Sequence, residues 1–272
     1  MPLLPLPEPY DFGLSTERFR AFGPDHANLW HEGGLHRVVL GREVRIEAAP
    51  GGVDVGPLDE EIAVVVWTLL GGPFDLHSFY EFAEQDGVLG SIAARLQGLR
   101  PPLAPDPFES LVTSITAQQV SLFAAFAIRN RFIDRFGERG IHAVSFPRRE
   151  RVAAAEPEEL VSLGFSRRKA EYVVGLARAD LDLCGLARLD DDGVKMRLTS
   201  VRGLGEWTAD WFLARHLARP RAWPAGDLGL RRAVAAFYGD VDVRALGARF
   251  DPFQNLAAHY LLAALLVLGA PA

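Results

Sequence analysis

The sequence predicts an α+β fold: a small antiparallel sheet domain over residues 1–100, then a larger all-helical domain over residues 101–272. Three observations carry this. Between Leu35 and Val66 the chain runs in short alternating, β-branched stretches. The segment Leu99-Arg100-Pro101-Pro102-Leu103-Ala104-Pro105-Asp106-Pro107 is too proline-rich for a helix interior and marks the boundary. Beyond it apolar residues recur at helical spacing.

In chain order, Val38-Val39-Leu40, Val44-Arg45-Ile46 and Ile62 to Val66 read as strands, with a turn at Gly51-Gly52 between two of the runs. A helix is expected around His77 to Gln97. After the proline-rich segment, helices are expected at Phe108–Ala117, Ser121–Phe136, Arg149–Ala154, Pro157–Leu163, Arg167–Ala179 and Thr208–Arg219. Gly or Pro breaks such as Phe136-Gly137 and Leu163-Gly164 separate them. Leu256 to Leu268 is the longest apolar stretch. It is broken by His259 and too short to cross a bilayer, so it reads as a buried terminal helix.

Composition narrows the function classes. Nearly half the residues are hydrophobic and a quarter charged, the profile of a soluble globular protein. The start shows no basic flank ahead of an apolar run, so no secretory leader is expected and a cytoplasmic location is. The single cysteine, Cys184, excludes an internal disulfide and the four thiolates of an iron–sulfur cluster. It reads as a small buried hydrophobe. The seven histidines show no metal-ligand spacing, His31 and His36 read as exposed sheet residues, and no metal is expected. The net charge of −6 hides an asymmetry: residues 1–99 balance at −9 and residues 100–272 at +3. A polyanion should meet the second part.

The most informative stretch is Thr199-Ser200-Val201-Arg202-Gly203-Leu204-Gly205-Glu206-Trp207-Thr208-Ala209. A helix ends, a Gly-x-Gly turn follows and a second helix opens near Glu206. Such a turn leaves backbone N–H groups open at the positive end of a helix, which suits a phosphate. Twenty residues on, Asp227 stands in Trp223-Pro224-Ala225-Gly226-Asp227-Leu228-Gly229-Leu230. By itself it is an ordinary helix N-cap.

Four ordered stretches then share one resemblance. The hairpin resembles that of the helix-hairpin-helix DNA glycosylase superfamily. The Asp227 segment is similar to that of its AlkA-type, alkylbase branch. Ile115-Thr116-Ala117-Gln118-Gln119-Val120-Ser121 resembles that branch's Gln-Gln turn, and Gly164-Phe165-Ser166-Arg167-Arg168-Lys169-Ala170 its helix start.

The resemblance implies a helix-hairpin-helix glycosylase domain and the release of alkylated purines from duplex DNA by base flipping. Asp227 is then the catalytic carboxylate, facing an oxocarbenium-like sugar. Gly203, Leu204, Gly205 and Thr208 would bind phosphate. Gln119 would enter the gap left by the extruded base, and Trp207 and Trp211, at i and i+4, would grip that base. Where strand-cutting relatives carry a lysine, Trp207 stands here, which implies hydrolysis without lyase chemistry. Arg129, Arg131, Arg167, Arg168, Lys169, Arg231 and Arg232 are basic residues available to the DNA backbone, and Leu262 stands where the branch has a further aromatic. A monovalent cation at the hairpin carbonyls would fit the superfamily, no other cofactor is expected, and a monomer is. The alternatives are a glycosylase for oxidised or deaminated bases and a non-catalytic DNA-binding protein.

Overall fold

A computed structural model describes residues 1–270. Five antiparallel strands, β1 (Leu3–Pro5), β2 (Leu29–His31), β3 (Gly34–Val39), β4 (Arg42–Ala49) and β5 (Gly52–Gly56), form one sheet in the order β1-β5-β4-β3-β2. Leu35 pairs with Ile46 and Ile46 with Val55, so these alternate residues share the buried face. A short helix, α1 (Phe12–Thr16), lies between β1 and β2.

The helices follow as α2 (Glu60–Leu69), α3 (Leu76–Ala83), α4 (Gly87–Arg95), α5 (Pro107–Ala117), α6 (Leu122–Phe136), α7 (Arg149–Ala153), α8 (Pro157–Ser162) and α9 (Arg167–Arg178). They continue as α10 (Asp191–Thr199), α11 (Glu206–Arg215), α12 (Leu228–Tyr238), α13 (Val243–Arg249) and α14 (Gln254–Val267). Most begin at a side-chain cap: Asp106 for α5, Ser121 for α6, Ser166 for α9 and Asp227 for α12.

The α+β class stands, with corrections in the N-terminal part. Ile62–Val66 is helical, because Asp59 caps α2 and Ile62, Val66 and Leu69 bury one helical face. The helix expected at 77–97 is two, separated where the Asp86 side chain accepts the N–H groups of Val88 and Leu89 to start α4. Cys184 is exposed and His36 is buried, the reverse of both expectations.

The cores do not follow the expected division at residue 100. One core gathers α5 to α11. A second packs residues 74–103 against residues 230–264, so the chain's early helices and its last ones share one lobe. A third lies under the sheet and α2. The proline-rich segment is sealed rather than a free linker: Leu99 and Leu103 are buried, and Arg100 is buried and donates to the carbonyls of Pro7 and Phe74.

Between these cores runs a buried ionic network. Arg37 of β3 and Arg129 of α6 both donate to Glu109 of α5, and Arg129 also holds Asp25. Arg129 is therefore spent inside the fold and does not reach a DNA backbone.

Candidate active site

The loop before α12 is built to hold one side chain still. The Trp223 indole donates to Val243 O at 2.9 Å and lies where Gly247 leaves room; a Cβ there would come within 2.4 Å of the ring. Asp227 N–H donates to Pro224 O, closing the loop. Asp227 Oδ1 then accepts Leu230 N–H at 2.8 Å, capping α12. Its Oδ2 accepts the indole N–H of Trp207 at 2.9 Å and of Trp211 at 3.1 Å. Three donors fix a half-buried carboxylate from two helices.

This changes the reading of the tryptophans. Their spacing on α11 does put both on one side, but the shared target is Asp227 rather than a free slot. Trp211 is 3% exposed, and the Arg215 guanidinium lies over its ring at 3.6 Å. Trp211 therefore offers no open stacking face, while Trp207 is half-buried.

Around Trp211 lie residues that spacing along the chain did not reveal. Arg215 Nε is buried without a hydrogen-bond partner. Burial pushes its pKa well down, repulsion from Arg18 adds to this, and Asp227 opposes it. Arg18, from the turn after α1, is shifted down by burial first, and Asp25 and Asp227 pull it back. His259 of α14 stands edge-on to Trp211 at 5.8 Å, with its Nε2 buried and unpartnered. Burial, then the charges of Arg215 and Arg18, hold it well below the ordinary imidazole range, so it is neutral near pH 7. Leu262 lies beside Asp227 across Gly229, where a Cβ would come 3.0 Å from Asp227 Oδ1 and 3.3 Å from Leu262 Cδ2.

The hairpin places its residues unequally. Gly203 has φ +96°, and a Cβ there would sit 2.2 Å from Cγ of Tyr172, so only glycine fits. Gly205 caps α11 with no side-chain hydrogen bond, and no atom lies within 4 Å of where its Cβ would be. The open, uncapped start of α11 is the part suited to an anion. Leu204 is buried and its N–H is used by Val201 O. Thr208 is buried, its hydroxyl accepting from Gln118 Nε2 at 3.4 Å. These two secure the hairpin from inside and do not meet a phosphate through their side chains.

Gln118 Nε2 also donates to Gly203 O at 3.0 Å, which ties the Gln-Gln turn to the hairpin. Gln119 is exposed at the tip with φ +54°, and Val120, Leu122 and Phe123 beside it are exposed too. Phe123 is an apolar neighbour of Gln119 that the sequence reading passed over. Of the remaining basic residues, Lys169 donates to Thr116 O, Arg131 to Leu163 O, and Arg167 pairs with Glu158.

The family described as "HhH-GPD superfamily base excision DNA repair protein" matches residues 112–244, which span α6 to α12. A DNA-3-methyladenine glycosylase of Bacillus subtilis is 33% identical over 168 residues, 59% of this chain and 55% of that protein. The chain thus spans about half the length of the curated relatives it matches. Among solved structures, a 3-methyladenine DNA-glycosylase from Archaeoglobus fulgidus superposes with a TM-score of 0.86 at 26% identity, covering 98% of both chains. A DNA-3-methyladenine glycosidase from Bacillus halodurans is 30% identical, with a TM-score of 0.55, over 67% of this chain and 86% of that one. A capped carboxylate facing a Gly-x-Gly hairpin, in a chain matched this way, places the protein in the HhH-GPD superfamily of base excision DNA repair proteins, on its AlkA-type branch.

Proposed function

We propose that the chain is a DNA N-glycosylase that hydrolyses the bond between deoxyribose and an alkylated purine flipped out of duplex DNA, and stops there. The observation that carries this is Asp227 held by three N–H donors. Breaking the bond leaves positive charge on the sugar, and a fixed carboxylate stabilises it without reorganising. At about 4 Å and an effective dielectric of about 20 the attraction is about 4 kcal/mol. That is worth about three orders of magnitude in rate. The same carboxylate can orient or deprotonate the attacking water.

Stopping at the abasic site follows from the amines present. A Schiff base with the sugar needs one, and the chain has only two lysines, Lys169 and Lys195. Lys169 is tied to Thr116 O at 2.9 Å and Lys195 to Asp210 Oδ1 at 2.7 Å. The position facing Asp227 from the hairpin helix holds Trp207 instead. The B. subtilis and A. fulgidus relatives are named for 3-methyladenine, which supports the substrate class.

A second reading widens the substrates. A cationic alkylpurine leaves as a neutral base, whereas an oxidised or deaminated base leaves with negative charge. Arg18 and Arg215, whose charges couple to Asp227, would stabilise that charge.

One assay separates the outcomes. Methylated duplex DNA and duplexes with single deaminated or oxidised bases are incubated with wild type and Asp227→Asn, and free bases are resolved by chromatography. Wild type should free 3-methyladenine and 7-methylguanine, and the variant should be about a thousandfold slower. Borohydride should trap no covalent adduct. Equal rates for the two proteins, or no base released, would sink the reading.

A further inference from the structure

Away from Asp227, three histidines from distant parts of the chain meet. His31 lies on β2, His36 on β3, and His142 in the loop between α6 and α7. Their ring centroids are 4.5 Å apart for His31 and His142, 4.9 Å for His36 and His142, and 5.7 Å for His31 and His36. Glu43 of β4 stands behind His36, with Oε1 2.8 Å from its Nδ1. Its Oε2 accepts the backbone N–H of His142 at 2.8 Å and of Ala143 at 3.1 Å. One donor atom from each of His36, Glu43 and His142 lies within 4.8 Å of the others.

We propose that His36 and His142, whose donor atoms converge with that of Glu43, bind one divalent transition-metal ion of the zinc class, with Glu43 orienting His36 and His31 packed against both rings. The spacing is that of imidazoles on one ion. At a zinc–nitrogen distance of about 2.0–2.1 Å a ring centroid lies about 3.2 Å from the metal. Two rings at a tetrahedral angle are then about 5 Å apart, centre to centre. The His36–His142 separation of 4.9 Å matches that value.

The second observation is the state of His36. The residue is 4% exposed, and its Nε2 is buried with no hydrogen-bond partner. With Nδ1–H donated to Glu43, Nε2 carries a bare lone pair, the form that ligates a metal. Glu43, which meets the His36 ring at 2.8 Å and accepts the His142 backbone N–H, is placed as the carboxylate of a carboxylate–imidazole–metal arrangement. His31 also has Glu32 nearby, at 3.7 Å, on the exposed side.

The ion would be structural. His31 and His36 belong to the sheet and His142 to the helical part, so one ion staples the two. It does not touch Asp227, and the proposal stands whether or not the glycosylase reading does.

The test uses tag-free full chain stripped with chelator, then equilibrium dialysis against Zn²⁺ and, separately, Co²⁺. Wild type should bind one ion per chain, and the Co²⁺ form should show the intense visible bands of a tetrahedral site. His142→Ala, at an exposed position, should weaken binding by at least about tenfold, and Glu43→Gln by about 10–100-fold. With Zn²⁺ a hundredfold above its Kd, the wild-type Tm should rise by about 5–10 °C, and that of His142→Ala should not. No bound metal, or binding in His142→Ala equal to wild type, overturns the proposal.

Discussion

Replacing Glu109 by Gln tests how the sheet is fastened to the helices that carry the site. Glu109 accepts Arg37 Nη2 at 2.5 Å, Arg37 Nη1 at 3.4 Å and Arg129 Nη2 at 2.7 Å. Arg129 Nη1 holds Asp25 at 2.5 Å, and Arg37 Nη1 also reaches Asn28 at 2.6 Å. The four charged side chains are each under a tenth exposed, and two cations balance two anions. The amide keeps the shape but leaves one buried positive charge uncompensated, and it points an NH₂ group at guanidinium donors. Breaking a buried pair from one side costs about 3–5 kcal/mol. For a chain of this size each kcal/mol moves Tm by about 2–4 °C, so a fall of about 6–20 °C is expected by calorimetry. Adding Arg129→Gln restores charge balance, so the double variant should lose less than the sum of the two single losses. A fall under about 2 °C for Glu109→Gln, or strict additivity in the double, would refute the claim that these charges act as one network.

Three further outcomes follow from particular contacts. Trp207→Phe removes one of two indole donors from Asp227 Oδ2. At about 1–3 kcal/mol, single-turnover base release should slow by about 5- to 160-fold while affinity for abasic DNA holds; a change under twofold would contradict a positioning role for Trp207. Gly203→Ala must place a methyl 2.2 Å from the Tyr172 ring at φ +96°, so stability should fall by about 1–3 kcal/mol in urea, and DNA affinity with it. Acid should loosen the network through Asp25. Burial acts to raise its pKa, but the Arg129 charge and the bonds from Asn28, Arg129 and Ala27 leave it below the ordinary value. A depressed folded pKa gives stability that is full above the unfolded value, near 4, and is lost as pH falls through the folded one. Wild-type Tm should therefore drop below about pH 4 more steeply than that of Asp25→Asn.

What the sequence disclosed depended on how far apart the partners lie. Caps such as Asp106, Ser121, Ser166 and Asp227 sit within three residues of the N–H they accept, so the helices of the second part were legible. Ile62 to Val66 was misread because a short β-branched run fits a strand and a buried helix face alike; the deciding residue, Asp59, lies just upstream. The proline-rich boundary failed for a different reason. Prolines exclude a helix, but they do not say that Arg100 and Leu103 are buried against residues 26 and more positions away. The site was legible as a list of residues more than as an arrangement. The i, i+4 spacing of Trp207 and Trp211 gave the shared side, not the direction of the two N–H groups. Arg129 looked available because its acceptors, Glu109 and Asp25, are 20 and 104 residues distant. The histidine cluster has no local signal at all, since His142 and His36 meet only when the helical part closes on the sheet.

The capping role of Asp227, which local sequence alone favours, is part of the catalytic argument. A carboxylate has about four acceptor sites. One on Oδ1 is occupied by Leu230 N–H and two on Oδ2 by the indoles, which leaves about one to meet a sugar cation or an attacking water. A free aspartate would turn among rotamers and present any of its lone pairs. This one is oriented by the start of α12 on one side and by α11 on the other. Trp207 therefore does two things at the position where a strand-cutting enzyme needs an amine. It supplies no nucleophile for an imine, and its N–H holds Asp227, the carboxylate proposed to drive hydrolysis. Putting lysine there would introduce the amine and remove a donor from Asp227 in the same step. On the proposed reading, hydrolysis and lyase chemistry are competing uses of one position, and Trp207 at that position favours hydrolysis.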